Sequence, residues 1–442
     1  MYQELAKLLL YSDLGPDSIL SALSDVFFDW DHHQSEGPAL IGRIYGQMKR
    51  LLDLATDFGF DENLWQNYLT FLLLTNENSF TLTAERAPVQ DGSVNHFALG
   101  DFAVFLRLFH YDFGPIEKDL GIDCFSTICH YRAIEKQERR YNKTVSQTVQ
   151  ALSRRIAQAS TPEEVFQILT GHYQAYGVGL LGLNRAFRIG SGPQGLELRA
   201  INNLERSTLE SLIGYDWQKK ALVRNTEAFL KGLPANNVLL YGDSGTGKST
   251  SVKLLVNQYY DQGLRMIELY KHQFEDLSAV IAKIKNRNYK FILFLDDLSF
   301  EEHEVEYKFL KAVIEGGVET RPDNVLIYAT SNRRHLIKET WADRSDMEHD
   351  GDIHRSDTLE EKLSLASRFG LTIHYASPTR GEFLSIVSGL AQRQGLQVDP
   401  DRLVFAANQW EIRHGGLSGR TAQQFINDLA GQMGLPEEES SC

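Results

Sequence analysis

The stretch Gly242-Asp243-Ser244-Gly245-Thr246-Gly247-Lys248-Ser249 constrains this chain more than any other. It matches G-x-x-x-x-G-K-[ST] at every fixed position, follows the apolar run 237–241 (NVLLY) and opens a helical stretch. Glycines let such a loop curl until successive backbone N–H groups point at phosphate oxygens, and the following helix adds the partial positive charge of its N-terminus. Lys248 is then placed to reach the β- and γ-phosphates, and the Ser249 hydroxyl to hold magnesium. Thr250 continues the first turn. The loop works only between a buried strand and a helix, so it predicts an α/β sheet with crossover connections.

The rest of residues 208–376 agrees with that demand. Short apolar runs at 237–241, 265–269 (RMIEL), 290–295 (KFILFL), 324–329 (NVLIYA) and 371–375 (LTIHY) read as strands, most of them separated by amphipathic helical stretches. Residues 377–435 return to helix, near 379–393, 400–411 and 418–433. Upstream, 1–190 read as an all-α domain, with apolar residues three and four apart in 17–30, 61–74 and 161–175. Thr161-Pro162-Glu163-Glu164 is a helix start, with a capping hydroxyl, a proline in the first turn and acids facing the dipole. Phe27, Phe28, Trp30, Trp65, Tyr68 and Phe71 read as helical core. The polar stretch 132–155 reads as a solvated helix face. Gly190, Gly192, Pro193 and Gly195 break the pattern, so 191–207 is expected to be a linker and 436–442 an acidic tail.

Charge and cysteine usage exclude some classes. Lys and Arg number 45 against 59 Asp and Glu, a formal net charge of -14. Such a field repels phosphate and disfavours a protein that coats nucleic acid or an anionic membrane. Three cysteines, Cys124, Cys129 and Cys442, make no disulfide framework, and Cys124, Cys129 and His130 lack the second ligand pair of a zinc site. No apolar run reaches the length of about 18 residues that a membrane span needs, and the N-terminus lacks a secretory pattern. The expected compartment is the cytoplasm.

Further residues carry chemistry downstream. Phe291 to Leu295 is an apolar strand that ends in Asp296-Asp297, the shape needed to carry one carboxylate to a magnesium shell. Asp296 is the expected metal-shell residue. Asp297 is the expected group that polarises the attacking water, with Glu301 and Glu302 as alternatives. Asn332 closes the next strand, where an amide can orient that water. Arg368 precedes the last strand, where a guanidinium can serve the nucleotide of a neighbouring subunit. Arg420 opens a C-terminal helix and can reach back to the phosphates. The acidic segment 343–357 with His349 and His354 reads as a solvated loop, and Tyr270-Lys271-His272 as a turn into the next helix.

Taken together these motifs resemble the AAA+ ATPases over about residues 208–435. They are most similar to bacterial members grouped as domain-of-unknown-function family number 815, within the initiator and helicase-loader branch. Leu212-Ile213-Gly214-Tyr215-Asp216, the P-loop, LDDLSFEE at 295–302, ATSNRR at 329–334, SRFG at 367–370 and SGRT at 418–421 carry the likeness. It implies a parallel sheet of order 5-1-4-3-2, a C-terminal helical lid and a homo-oligomer. It further implies that Ile213, Gly214 and Tyr215 line an adenine pocket, that Asn332 and Arg420 are the two sensors and that Arg368 is the finger. Asp297 stands where many relatives carry glutamate. The expected activity is ATP hydrolysis with magnesium in service of a protein or nucleic-acid client. The alternative is a slowly hydrolysing ATP-dependent switch that recruits a partner through its helical N-terminal domain.

Overall fold

In the computed structural model, residues 1–15, 17–86, 92–133, 143–192, 195–201, 207–301, 304–315, 322–333, 336 and 365–434 are described. The chain divides into two compact units, Met1–Asn184 and Arg185–Cys442. Glu302, the segment 343–357, Cys442 and the tail 436–442 lie outside the described residues, as do 134–142 of the polar stretch.

The first unit is helical, and its helices begin where the sequence supplies caps. Ser18 accepts the Ser21 N–H at the start of Ile19–Asp31, Asn63 that of Gln66 before Leu64–Thr75, and Thr161 that of Glu164 before Pro162–Tyr176. Phe27, Trp65 and Tyr68 are buried in one core, with Trp30 and Phe71 packed against it. Phe28 departs from the expected core: it is exposed and stacks on His32 with ring centroids 4.2 Å apart. Helix Lys143–Gln158 buries Val145, Val149, Leu152 and Ile156 at helical spacing, while Arg154 turns out to pair with Glu62. Cys124 and Cys129 are free thiols whose pKa is pushed up to about 11 by burial. Asp101, buried in helix Ser93–Phe109, accepts the N–H groups of Leu9, Leu10 and Tyr11 at 2.9, 2.8 and 2.9 Å and so ties the N-terminal segment to the core.

The second unit is built on one seven-stranded sheet of order β2-β1-β4-β5-β6-β3-β7. The strands are β1 (Ala186–Gly192), β2 (Gly195–Ala200), β3 (Val238–Gly242), β4 (Leu264–Leu269), β5 (Lys290–Leu295), β6 (Val325–Ser331) and β7 (Leu371–Tyr375). From β4 to β7 every pairing is parallel. Numbered from the P-loop strand, those five run 5-1-4-3-2, the order that the resemblance to AAA+ proteins implies. β4, β5 and β6 are buried almost throughout, as a sheet covered on both faces requires. Three helices, Arg380–Arg393, Pro400–His414 and Gly419–Gln432, follow as the lid around a small core of their own.

One expectation needs correction. Of the stretch read as a linker, most of the described residues are strand: β1 pairs parallel to β4, and β2 returns antiparallel along β1 to form the sheet edge. Glycines at 190, 192 and 195 belong to this hairpin and do not mark a break. Among the described residues no helix is long and apolar enough to cross a membrane.

Asp101→Ala leaves the buried Tyr11 N–H and the half-buried N–H groups of Leu9 and Leu10 without their acceptor and should destabilise the helical unit by about 2–4 kcal/mol. Urea unfolding followed by tryptophan fluorescence measures the change.

Candidate nucleotide site

Strand register assembles the site before any side chain is considered. Leu295 pairs with Ala329, so the next residues outward, Asp296 and Thr330, stand side by side. Tyr241 pairs with Ser331, and Gly242 with Tyr375, which brings the P-loop to the same sheet end. Ligands of open parallel sheets bind at that carboxyl end.

The loop itself follows a path that favours glycine, and two positions show why. Gly242 has φ 135°, and a Cβ there would lie 2.1 Å from the Tyr375 carbonyl oxygen. Gly245 has φ 74°, and a Cβ there would lie 3.0 Å from both Ser418 Oγ and Arg420 Cβ. The Gly245 carbonyl accepts the Arg420 N–H at 3.2 Å, so the lid helix rests directly on the loop. Helix Lys248–Tyr259 then starts from Gly247.

Lys248 is buried, and its ammonium donates to the Gly242 carbonyl at 2.9 Å, the Asp243 carbonyl at 2.6 Å and Asn332 Oδ1 at 3.0 Å. Burial lowers its pKa, while Asp243, Asp297 and Asp296 oppose the shift. Ser249 Oγ donates to Asp296 Oδ1, which also accepts the Thr330 hydroxyl at 2.7 Å. Thr330 Oγ1 in turn accepts the Asp297 N–H at 2.9 Å, and Asn332 Nδ2 donates to Asp297 Oδ1 at 2.9 Å. Asp297 sits at φ 53°, the left-handed region that costs a side chain energy and often marks a working residue.

A cavity of about 670 Å³ opens over this network. Of the expected binding and catalytic residues, Ile213, Tyr215, Ser244, Gly245, Thr246, Gly247, Lys248, Ser249, Thr250, Asp296, Asp297, Asn332 and Arg420 line it. Gly214, Gly242, Asp243 and Arg368 do not. Gly242 forms the back of the loop. The Asp243 carboxylate turns away to accept the N–H and hydroxyl of Ser377 at 2.8 and 2.7 Å, and these bonds hold its pKa below the usual carboxylate value. Gly214, at φ 79°, is the turn between Ile213 and Tyr215. Tyr215 stacks on Tyr375 at 5.1 Å and donates to the Ala376 carbonyl at 3.2 Å. Ile213 packs against the lid helix at Gly389. Arg368 pairs with Glu315 at the end of helix Glu306–Glu315.

Other wall residues carried no sequence signal on their own. Arg393 comes from the lid and donates to the Ser211 carbonyl; Ile386, Leu390, Gln423 and Gln424 come from the same lid. Thr330 also lines the wall, and its signal in the sequence is its place directly before Ser331-Asn332 at a strand end.

The site is compatible with the magnesium that the motif implies. Ser249 Oγ and Asp296 Oδ1 are hard oxygen donors already side by side at the cavity wall. Magnesium takes only one or two protein oxygens when nucleotide phosphates supply others.

Comparison with known proteins is consistent with these motifs. The profile of the family described as "Protein of unknown function (DUF815)" matches residues 183–433. No curated protein matches the chain. Among solved structures, the Thermotoga maritima RuvB Holliday junction branch migration motor is 15% identical with a TM-score of 0.35, covering 54% of this chain and 70% of that chain. A point mutant of RuvB is 16% identical with a TM-score of 0.37 and the same coverage. Those likenesses are too distant to bear on activity. Strand order and the P-loop carry the fold.

Asp297→Gly should relieve the left-handed strain and raise the melting temperature by about 1–3 °C, although it removes the side chain bonded to Asn332. Differential scanning calorimetry reads the sign.

Proposed function

The chain belongs to the DUF815 family, and from that premise we propose that its second unit binds ATP with magnesium and hydrolyses it. The observation that carries this reading is the Lys248–Asn332–Asp297–Thr330–Asp296–Ser249 network at the foot of one cavity. Loop N–H groups and the start of helix Lys248–Tyr259 receive the phosphates. Lys248 exchanges its carbonyl partners for phosphate oxygens. Ser249 and Asp296 would hold magnesium, which when bound neutralises charge on the β- and γ-phosphates. Ile213 and Tyr215, with lid residues Ile386 and Leu390, form the apolar end that suits a purine. Asp297 accepts from and orients the attacking water, held by Asn332.

Arg420 reaches the phosphates from the lid, so nucleotide joins lid to core. Arg368 stands outside the cavity walls of its own subunit, which supports a role in trans: it leaves Glu315 and stabilises charge on a neighbour's γ-phosphate. The assembly would use turnover to remodel or load a protein or nucleic-acid partner in the cytoplasm. A slow ATP-dependent switch is the second reading. It is favoured by Asp297, which is one methylene shorter than glutamate and already bonded to Asn332.

Lys248→Ala should abolish binding of a fluorescent ATP analogue, and undiminished affinity would overturn the site. Asp297→Asn should keep binding and lower turnover by about a hundredfold or more. Normal turnover in that variant, with loss in Glu301→Gln, would move the base to Glu301.

Arg368→Ala should bind ATP nearly as wild type yet hydrolyse it about a thousandfold more slowly. Mixing it with Lys248→Ala should restore part of the activity, because one subunit supplies the P-loop and the other the arginine. Mixtures shown to co-assemble without recovery would leave Arg368 a structural partner of Glu315.

A further inference from the structure

The metal carboxylate has a second partner that the reading above does not use. Asp296 Oδ1 faces Ser249 and Thr330, but Oδ2 lies 3.5 Å from the ammonium of Lys253, one turn along the P-loop helix. The same ammonium lies 3.6 Å from Glu268 Oε1 on β4. It is therefore shared almost evenly between two carboxylates, with a close hydrogen bond to neither. Glu268 is nearly buried, with its side chain only 7% exposed, so it must be balanced by positive charge. Most of that balance comes from Arg188 on β1, whose Nε donates to Glu268 Oε2 at 2.7 Å. Arg188 belongs to the strand added outside the five-stranded core.

We propose that Lys253 is an internal competitor for magnesium at Asp296, and that Arg188, acting through Glu268, sets its strength. The proposal rests on the nucleotide site described above. With magnesium bound, the charge on Asp296 that attracts Lys253 would be offset, and the ammonium would shift toward Glu268. How readily it moves depends on how much negative charge Arg188 has left on Glu268. With Arg188 in place Glu268 is a poor alternative, and Lys253 stays partly on Asp296. Arg188 and Glu268 are thus positioning residues, and neither touches nucleotide.

The signs of the effects are opposite, which separates this arrangement from simple structural support. Glu268→Gln removes the alternative acceptor, leaves Lys253 on Asp296 and should raise the magnesium concentration needed for half-maximal binding. Arg188→Met strengthens Glu268 as an acceptor and should lower it. Each shift should be about three- to tenfold, the size of coupling seen between residues in one network. Lys253→Met should lower the midpoint and erase the effects of both other substitutions.

The experiment titrates magnesium into each variant with a fluorescent ATP analogue present and reads binding, so turnover does not enter. Shifts of opposite sign that vanish in the Lys253→Met background support the proposal. Shifts of the same sign, no shift, or shifts that persist without Lys253 overturn it while leaving the nucleotide site standing. Wild-type protein that fails to bind the analogue at any magnesium concentration would overturn both. Arg188 is half-exposed, so if Glu268→Gln does not fold, Arg188→Met with and without Lys253 still decides the sign.

Discussion

The path of the backbone between β3 and helix Lys248–Tyr259 governs the rest of the second unit. At Gly242 the chain passes so close to the Tyr375 carbonyl that a methyl group could not stand between them, and at Gly245 it touches the lid. β7 and the lid are therefore held against the loop by backbone contact. The Asp243 N–H donates to the Tyr375 carbonyl, and the Arg420 N–H to the Gly245 carbonyl. A side chain at either glycine would move β7 or the lid as well as the loop.

Around that loop the polar groups form one connected circuit. Each buried or half-buried member has a partner, which is what a low-dielectric site requires if it is to hold its geometry before a ligand arrives. Lys248 is the member with most at stake, since burial penalises its charge and lowers its pKa even though three oxygens accept from its ammonium. Asp297, held in a left-handed conformation, is the point where local strain is accepted for position.

Much of this was legible in the residues. The strands read at 290–295 and 371–375 are β5 and β7 as observed, and the others begin or end within a residue or two. Buried parallel strands are continuous apolar runs, and such runs are bounded sharply by polar residues. The hairpin of β1 and β2 was missed because it lies at the sheet edge, where half-exposed alternation is weaker and glycines mimic a linker. The alternation Leu196-Glu197-Leu198-Arg199 is the signal of β2 in the sequence, and the glycines around it mask it.

The sequence alone determined the P-loop, the strand that delivers Asp296, and the presence of a helical lid, because each rests on patterns local to one loop, one strand or one helix. Tertiary structure decided what those patterns meet. It turned Asp243 toward Ser377 and away from the cavity, placed Arg393 and Thr330 in the walls, and paired Arg368 with Glu315. It also set Lys253 between Asp296 and Glu268, residues 43 and 15 positions away in the chain. Long side chains on different strands and helices find one another only after the sheet is in register, and periodicity along a single element carries no record of those distances.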